Sequence, residues 1–482
     1  MLMGVAAIQG LPLGESQAAH AADLGAFDPG NIIDDSLFWD GDAMNESQIQ
    51  SFLNSKVANC AAGYTCLKDF RETTHTIDAT PMCGRYDGQA DEPAARIIAR
   101  VAHLCGVSPK VILVTLQKEQ GLVTKSAPSP GSYRAAMGAG CPDTAACDSN
   151  YYGFFNQVHF ASYLLKRYTQ PTGTGSGTEW TTRFDLRYPV GKTTAILYNP
   201  NRDCGTLPVY IQNQATHALY IYTPYTPNQA ALNAGYGTGD GCSAYGNRNF
   251  YNYYVDWFGS VRGPQVGAAF LDTYKAHGAA SGELGYPTSP YTCGLVRGGC
   301  YQVFHGGWIV SSTNTPPVVL RNASRGLWWY HGSENGYLGY PTMDEACGLV
   351  DGGCHQVFEG GWMVRSARTT LTAVPLATRG IWWYYGSENG FLHYPAAEQV
   401  CGLTGGGCYQ AFQGGWVVSS PAGGLRAVWP EVVALWNNWG RDAGILGYPS
   451  GDPSNPNGGN YTQTFQGGTV TVTNGTATLT HA

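Results

Sequence analysis

The tetrapeptide Leu284-Gly285-Tyr286-Pro287 returns as Leu338-Gly339-Tyr340-Pro341, as Leu392-His393-Tyr394-Pro395 and as Leu446-Gly447-Tyr448-Pro449, 54 residues apart each time. A fixed period of this length requires one structural unit used several times, each copy burying apolar surface against the next. It also divides the chain. Residues 27–260 show no such period and need a fold of their own; the repeats occupy 261–482, and residues 1–26 form a leading tail.

Each repeat shows the same internal order: an aromatic or helical segment, the tetrapeptide turn, a Cys loop and a strand pair. The strand pair reads Gln302-Val-Phe-His-Gly-Gly-Trp308, then Gln356-Val-Phe-Glu-Gly-Gly-Trp362, Gln410-Ala-Phe-Gln-Gly-Gly-Trp416 and Gln463-Thr-Phe-Gln-Gly-Gly-Thr469. Glycines between β-formers are a hairpin signal. The first three repeats carry Cys293/Cys300, Cys347/Cys354 and Cys401/Cys408, seven apart with glycines between; the fourth lacks both. Joint loss is what a disulfide pair predicts. A zinc site is the rival reading, but no Cys-x-x-Cys and no His at ligand spacing accompany these residues. The 14 Cys divide as eight before residue 245 and six in the repeats, both even counts, which fits pairing in an oxidising compartment.

Hydrophobic residues make up 43% and charged residues only 13%, a globular composition with about half the usual share of charge. Sparse charge with many Gly and Tyr suits an extracellular protein that meets carbohydrate. The net charge of -7 argues against a nucleic-acid partner, which needs a basic footprint. No stretch reaches the length of a membrane span. Residues 2–13 are mildly apolar and Ala19-His20-Ala21 offers a small-x-small cleavage site, so the tail reads as a signal-peptide remnant or as a disordered arm.

In residues 27–260 the elements are mainly helical. Asn45-Glu-Ser-Gln48 is a capping-box start. Pro93 to Leu104 has helical spacing. Ser108-Pro109 opens a further helix, apolar nearly all round, that stops at Gly121. Tyr151–Tyr168, Ile211–Tyr222 and Asn247–Phe258 follow, with a flexible insertion over 170–177. Three short signals stand out: Leu116-Gln-Lys-Glu119-Gln-Gly121 at a helix end, Gly153-Phe-Phe-Asn-Gln157 at a helix start, and Ile196-Leu-Tyr198-Asn199-Pro200. A carboxyl held among apolar side chains loses hydration of its charged form, keeps its proton nearer neutral pH, and can then protonate a glycosidic oxygen. Glu119 is the candidate. Asp143 and Asp148, in a loop that Cys141 and Cys147 would staple, are either a second carboxylate or solvated loop residues; Asp240 is a weaker alternative. His103, His159 and His217 are isolated and read as structural.

The repeats resemble the LGFP repeat family of cell-envelope proteins in mycolic-acid bacteria and related actinobacteria. That resemblance, over residues 266–472, implies anchoring to wall polymers. His393 replaces the glycine of the third tetrapeptide, which questions the geometry of that turn. Any one aromatic in the repeats could equally serve only to hold neighbours together.

The three signals of the first half resemble the lysozyme-like fold of lytic transglycosylases and goose-type lysozymes, which carry Glu-Ser, then Gly-Leu-Met-Gln, then Ala-Tyr-Asn. Here Gln120 stands where that family has Ser, and the second motif has one extra residue. The resemblance implies Glu119 and Tyr198 as catalytic groups. Gly153, Gln157, Asn199 and Asp148 would bind substrate. No metal and no cofactor are called for. No Gly-x-Ser-x-Gly accompanies an acyltransferase reading.

The expectation is therefore a multidomain chain: a mainly α lysozyme-like domain over 27–260, then an α+β array of four LGFP units over 261–482. The expected activity is cleavage of the β-1,4 glycan strand of peptidoglycan by a secreted, wall-associated monomer whose partners are peptidoglycan and its attached polysaccharide. The alternative is a non-catalytic wall-binding protein or adhesin of the same fold.

Overall fold

The computed structural model describes residues 22–141, 146–169, 187–455 and 459–480. The expected signal remnant, Asp143 and the 170–177 insertion lie outside them. The chain forms two compact units that meet between Gly263 and Pro264.

Unit 1 is mainly helical. Its principal helices are α1 Glu46–Lys56, α2 Ala94–Cys105, α3 Pro109–Gln120, α4 Phe154–Tyr168, α5 Gln214–Tyr222 and α6 Gly246–Phe258. The Asn45 side chain accepts from the Gln48 N–H and the Gln48 side chain accepts from the Asn45 N–H, each at 2.9 Å, so α1 starts in a reciprocal capping box. Pro109 occupies the first turn of α3, and Gly121 ends it in a left-handed conformation, φ 66°, as the sequence predicts. Val111 to Gln117 are all buried, so α3 is the central helix; α6 packs against it, and α2 packs against α1, α3 and α4. Helix α4 begins three residues later than expected, because Gly153 takes φ 102°. Ile211 belongs to the chain entering α5, whose first turn is capped by Asn213.

A hairpin of Thr193–Leu197 with Thr206–Tyr210 stands between α4 and α5. The periodicity did not announce it, since its burial alternates only weakly. Cys60–Cys66, Cys83–Cys105, Cys141–Cys147 and Cys204–Cys242 are bonded in this unit.

Unit 2 is β-rich. Each of the first three repeats folds into a four-stranded antiparallel meander, and the fourth into a three-stranded one. The pairs Cys293–Cys300, Cys347–Cys354 and Cys401–Cys408 are disulfides that join the first two strands of each meander. Among the described residues the fourth repeat lacks both the disulfide and that strand. The Gly-Gly hairpins form as expected, with Phe304 opposite Gly307 and Phe358 opposite Gly361.

Two sets of hydrogen bonds explain the conserved period. In the second, third and fourth repeats a buried helix tryptophan donates to the carbonyl of the tetrapeptide's second residue: Trp328 to Gly339, Trp382 to His393 and Trp436 to Gly447, at 2.6–2.7 Å. In the first repeat Tyr274 does the same to Gly285 at 2.9 Å. The tetrapeptide tyrosine then reaches into the preceding repeat: Tyr340 donates to the Val296 carbonyl, Tyr394 to that of Val350 and Tyr448 to that of Thr404. The hydroxyl sits where a side chain on Gly299, Gly353 or Gly407 would project, which is why glycine precedes the second Cys. His393 adopts φ 52°, beside 64°, 66° and 61° at Gly285, Gly339 and Gly447, so the third turn keeps the geometry of the others.

No helix among the described residues is long and apolar enough to cross a membrane.

Candidate functional site

Glu119 lies in the last turn of α3, where the helix leaves the interior. Its side chain is 28% exposed, whereas that of Lys118 is only 3% exposed, and their charged atoms are 2.8 Å apart. The apolar enclosure expected from the sequence is thus replaced by a buried ammonium. Lys118 also donates to the Thr223 hydroxyl at 2.8 Å and lies 5.4 Å from the centre of the Tyr222 ring. Burial pushes the Tyr222 hydroxyl well above its ordinary pKa, so it remains a donor, and it donates to the Met137 carbonyl at 2.5 Å.

The far oxygen of Glu119 faces Gly138. A Cβ there would stand 3.1 Å from Oε2, and Gly138 has φ 70°. Glycine is needed on both counts. Gln157, the end of the second motif, sets this loop. Wholly buried, it accepts from the Met137 and Ala139 N–H groups at 3.2 and 3.1 Å and donates to the Ala139 and Tyr151 carbonyls at 2.8 Å. One amide therefore satisfies four backbone groups that no secondary structure pairs.

Gly153 begins the same motif. Its N–H donates to the Arg134 carbonyl at 3.1 Å, and a Cβ on it would approach Glu72 Oε1 to 3.1 Å. Glu72 accepts from the Phe155 N–H at 2.9 Å. Burial is the main cause of its raised pKa, opposed by that hydrogen bond and by the charge of His75. No local pattern marks Glu72, which comes from the two-residue strand Arg71–Glu72. Phe154 packs against Phe70 and Tyr133, and Phe155 against His75 and Tyr86, so both rings serve the interior.

The third motif arrives by the hairpin. Leu197 pairs with Tyr225, and the Thr226 N–H donates to the Leu197 carbonyl at 3.0 Å. Tyr198 follows at once, and its N–H donates to the Gly205 carbonyl at 3.2 Å. Asn199 turns its side chain onto the Asn201 N–H, 2.9 Å, as a local turn. Asp148 is exposed and caps the short 3-10 turn Ser149–Tyr151 through the Asn150 N–H. Asp240 is likewise engaged in its own loop, with Asn228, Ser243 and the Cys242 N–H.

The three histidines have separate surroundings. His217 is buried between the Tyr188 and Tyr168 carbonyls, burial lowers His159 to about 4, and His103 pairs with Asp42 at the surface. All cysteines are bonded in pairs, which leaves no thiol nucleophile.

In unit 2 the aromatics divide into two classes. Trp328, Trp382 and Trp436 are buried, while Trp329, Tyr330, Trp383 and Tyr384 stand on the surface.

No curated protein matches this chain. Residues 284–336, 338–390 and 392–444 each match the LGFP repeat family. The fourth tetrapeptide, beyond those matches, repeats the Trp436–Gly447 and Tyr448–Thr404 bonds of its neighbours. The second unit is therefore an array of LGFP repeats, which points to a cell-wall-associated protein.

Proposed function

We propose that the protein cleaves the β-1,4 glycan strand of peptidoglycan with unit 1, a lysozyme-like domain, and holds to the wall with unit 2. The observation that carries this reading is convergence. Glu119, the Gln157-clamped loop at Gly138 and the strand that leads to Tyr198 are far apart in sequence, yet all connect through Tyr222, Thr223 and Tyr225.

In the proposed reaction Glu119 protonates the glycosidic oxygen as the bond to the anomeric carbon breaks. It then takes a proton from the attacking hydroxyl, from water or from the sugar itself. Lys118 gives up one Glu119 oxygen as substrate enters, keeping Thr223 as its partner. Tyr198 and Asn199 border the same strand and would orient the glycan. The repeats raise the local concentration of substrate by multivalent contact.

A second reading, a domain that binds glycan without cutting it, is favoured by the Lys118–Glu119 ion pair, which occupies a carboxylate oxygen that a general acid needs free. Mass spectrometry of soluble fragments from purified peptidoglycan separates the two. Muropeptides released by the wild type and absent with Glu119→Gln support the enzyme, and anhydro ends would mark a lytic transglycosylase. Sedimentation with the wall and no fragments from either protein leaves the binder.

A further inference from the structure

The helices Asn322–Tyr330 and Leu376–Tyr384 occupy the same place in the second and third repeats. Each ends in two tryptophans and a tyrosine. The first tryptophan is buried, and the next two rings are not: Trp329 and Tyr330 are 67% and 73% exposed, Trp383 and Tyr384 66% and 75%. Large rings so exposed at matching positions lack the usual explanation of packing.

A third residue accompanies them. Gly326 and Gly380 lie three and four positions before these rings, on the same helix face. A Cβ on either would meet nothing within 4 Å, so the fold has room for a side chain there. Glycine inside a helix costs about 1 kcal/mol relative to alanine, and here no packing or turn geometry accounts for it. What glycine does leave is a bare shelf beside two upright rings. The first and fourth repeats have Asp272 and Ala434 at this position, and they lack the rings as well, with Lys275-Ala276 and Asn437-Asn438 in their place. Glycine and the ring pair occur together or not at all.

Just beyond each ring pair, Glu334-Asn335 and Glu388-Asn389 are hydrogen-bonded side chain to side chain at 3.0 Å. They supply carboxylate and amide groups that match vicinal hydroxyls. Each of these repeats also carries an arginine beside the glycine, and both are engaged with rings of their own repeat: Arg325 lies over Trp308 at 4.7 Å and Arg379 over Trp362 at 4.3 Å. Flat exposed aromatic faces that carry no charge of their own, polar side chains a few residues on, and repetition at a fixed period fit a ligand that is itself a repeating, uncharged chain of sugar rings.

We infer that the second and third repeats each carry a sugar-stacking platform, Gly326/Trp329/Tyr330 and Gly380/Trp383/Tyr384, that binds an uncharged wall polysaccharide. The C–H faces of the sugar rings lie on the aromatic faces, and the two platforms act together on one chain. The inference rests on the wall association of unit 2, not on the chemistry of Glu119.

The test uses the full chain and two probes: the soluble neutral polysaccharide released from Gram-positive walls by mild acid, and the acid-stripped peptidoglycan left behind. The variant Trp329→Ala/Tyr330→Ala/Trp383→Ala/Tyr384→Ala removes the platforms, and Lys275→Ala/Asn437→Ala is the control. Circular dichroism and the thermal midpoint confirm that the exposed substitutions leave the fold intact. Titration calorimetry is expected to show polysaccharide binding by the wild type and the control, and a ten-fold or greater loss in the platform variant. Equal binding by the platform variant, or no binding of the polysaccharide by the wild type, overturns the inference. Platform-dependent binding to stripped peptidoglycan alone overturns the assignment to an uncharged polymer. Sedimentation with whole walls is read separately: a wild type that binds the polysaccharide through the platforms but ignores whole walls supports the platforms and sinks the wall association.

Discussion

The Tyr340 hydroxyl donates to the Val296 carbonyl, 44 residues earlier, at 2.6 Å. The bond ties one repeat to its predecessor through a glycine-lined gap that only a hydroxyl fills. Tyr340→Phe keeps the ring and removes the donor. The Val296 carbonyl keeps the Gly299 N–H as a donor, so the expected loss is that of one hydrogen bond, about 0.5–1.5 kcal/mol. Chemical denaturation of the full chain, with the transition of unit 2 followed separately, checks it; an unchanged midpoint would mean that ring packing alone joins the repeats.

His277 joins the same two repeats in another way. Its Nδ1 lies 2.7 Å from Glu283 and its Nε2 3.0 Å from Asp344 of the next repeat, while Arg321 also pairs with Glu283. Burial opposes the imidazolium, but the hydrogen bonds and charges of Glu283 and Asp344 outweigh it, so the His277 pKa is raised. A raised folded-state pKa contributes stability that is fully present below the unfolded value, about 6.5, and is lost as pH rises through the folded value. Thermal unfolding of unit 2 is therefore expected to weaken as pH climbs from about 6 toward neutrality and beyond. His277→Gln should flatten that slope, and a slope unaltered by the substitution would assign it to other groups.

How much of this was legible beforehand depends on range. The period, the seven-residue Cys spacing, the capping box at Asn45 and the Pro109-to-Gly121 limits of α3 are local signals, and each has a mechanism that acts within a few residues. Glu119 at the end of α3 was legible for the same reason. Its partner was not. Lys118 stands next to it in the sequence, but the burial of that ammonium is set by Tyr222 and Thr223, about a hundred residues on. Glu72 is hidden for a similar reason, since the N–H group of Phe155 that it caps belongs to a distant helix. The strand that completes the first meander carries no local signal, because Val318–Arg321 runs straight into the helix Asn322–Tyr330 without a turn.

Gly138 gives a direct probe of the candidate site. Gly138→Ala places a methyl group 3.1 Å from Glu119 Oε2 on a backbone at φ 70°. The left-handed conformation alone costs about 1–2 kcal/mol. Displacement of the carboxylate should reduce glycan cleavage by about ten-fold or more, since a small misplacement of a reacting group is felt strongly. Muropeptide release at a temperature well below the variant's own midpoint checks it. A proportionate loss of stability with full activity would place the reaction elsewhere.

Gln157 tests the loop itself. Gln157→Leu preserves size and removes an amide that satisfies four backbone groups. The expected destabilisation of unit 1 is about 2–4 kcal/mol. Hydrogen exchange should localise it to residues 137–141, and protection unchanged in that loop would show that it is held by Tyr222 and the Cys141–Cys147 bond instead.

His393 offers a stabilising change. It holds φ 52° where the other repeats use glycine, and its ring lies 3.2 Å from the Glu388 carbonyl. His393→Gly relieves the backbone and forfeits that contact, for a net gain of up to about 1 kcal/mol. A lower midpoint would show that the ring contact outweighs the strain.

The backward reach of each tetrapeptide tyrosine has a consequence for how such a chain is made. The tyrosine tie spans 44 residues at each of the three junctions, and the histidine tie at the first two spans 67. Loop-closure entropy is therefore the same at every junction, and the sequence separation of contacts does not grow as copies are added. A newly synthesised repeat can lock onto its predecessor as soon as its own tyrosine has left the ribosome. Gene duplication could lengthen this wall-binding arm without slowing the folding of the rest.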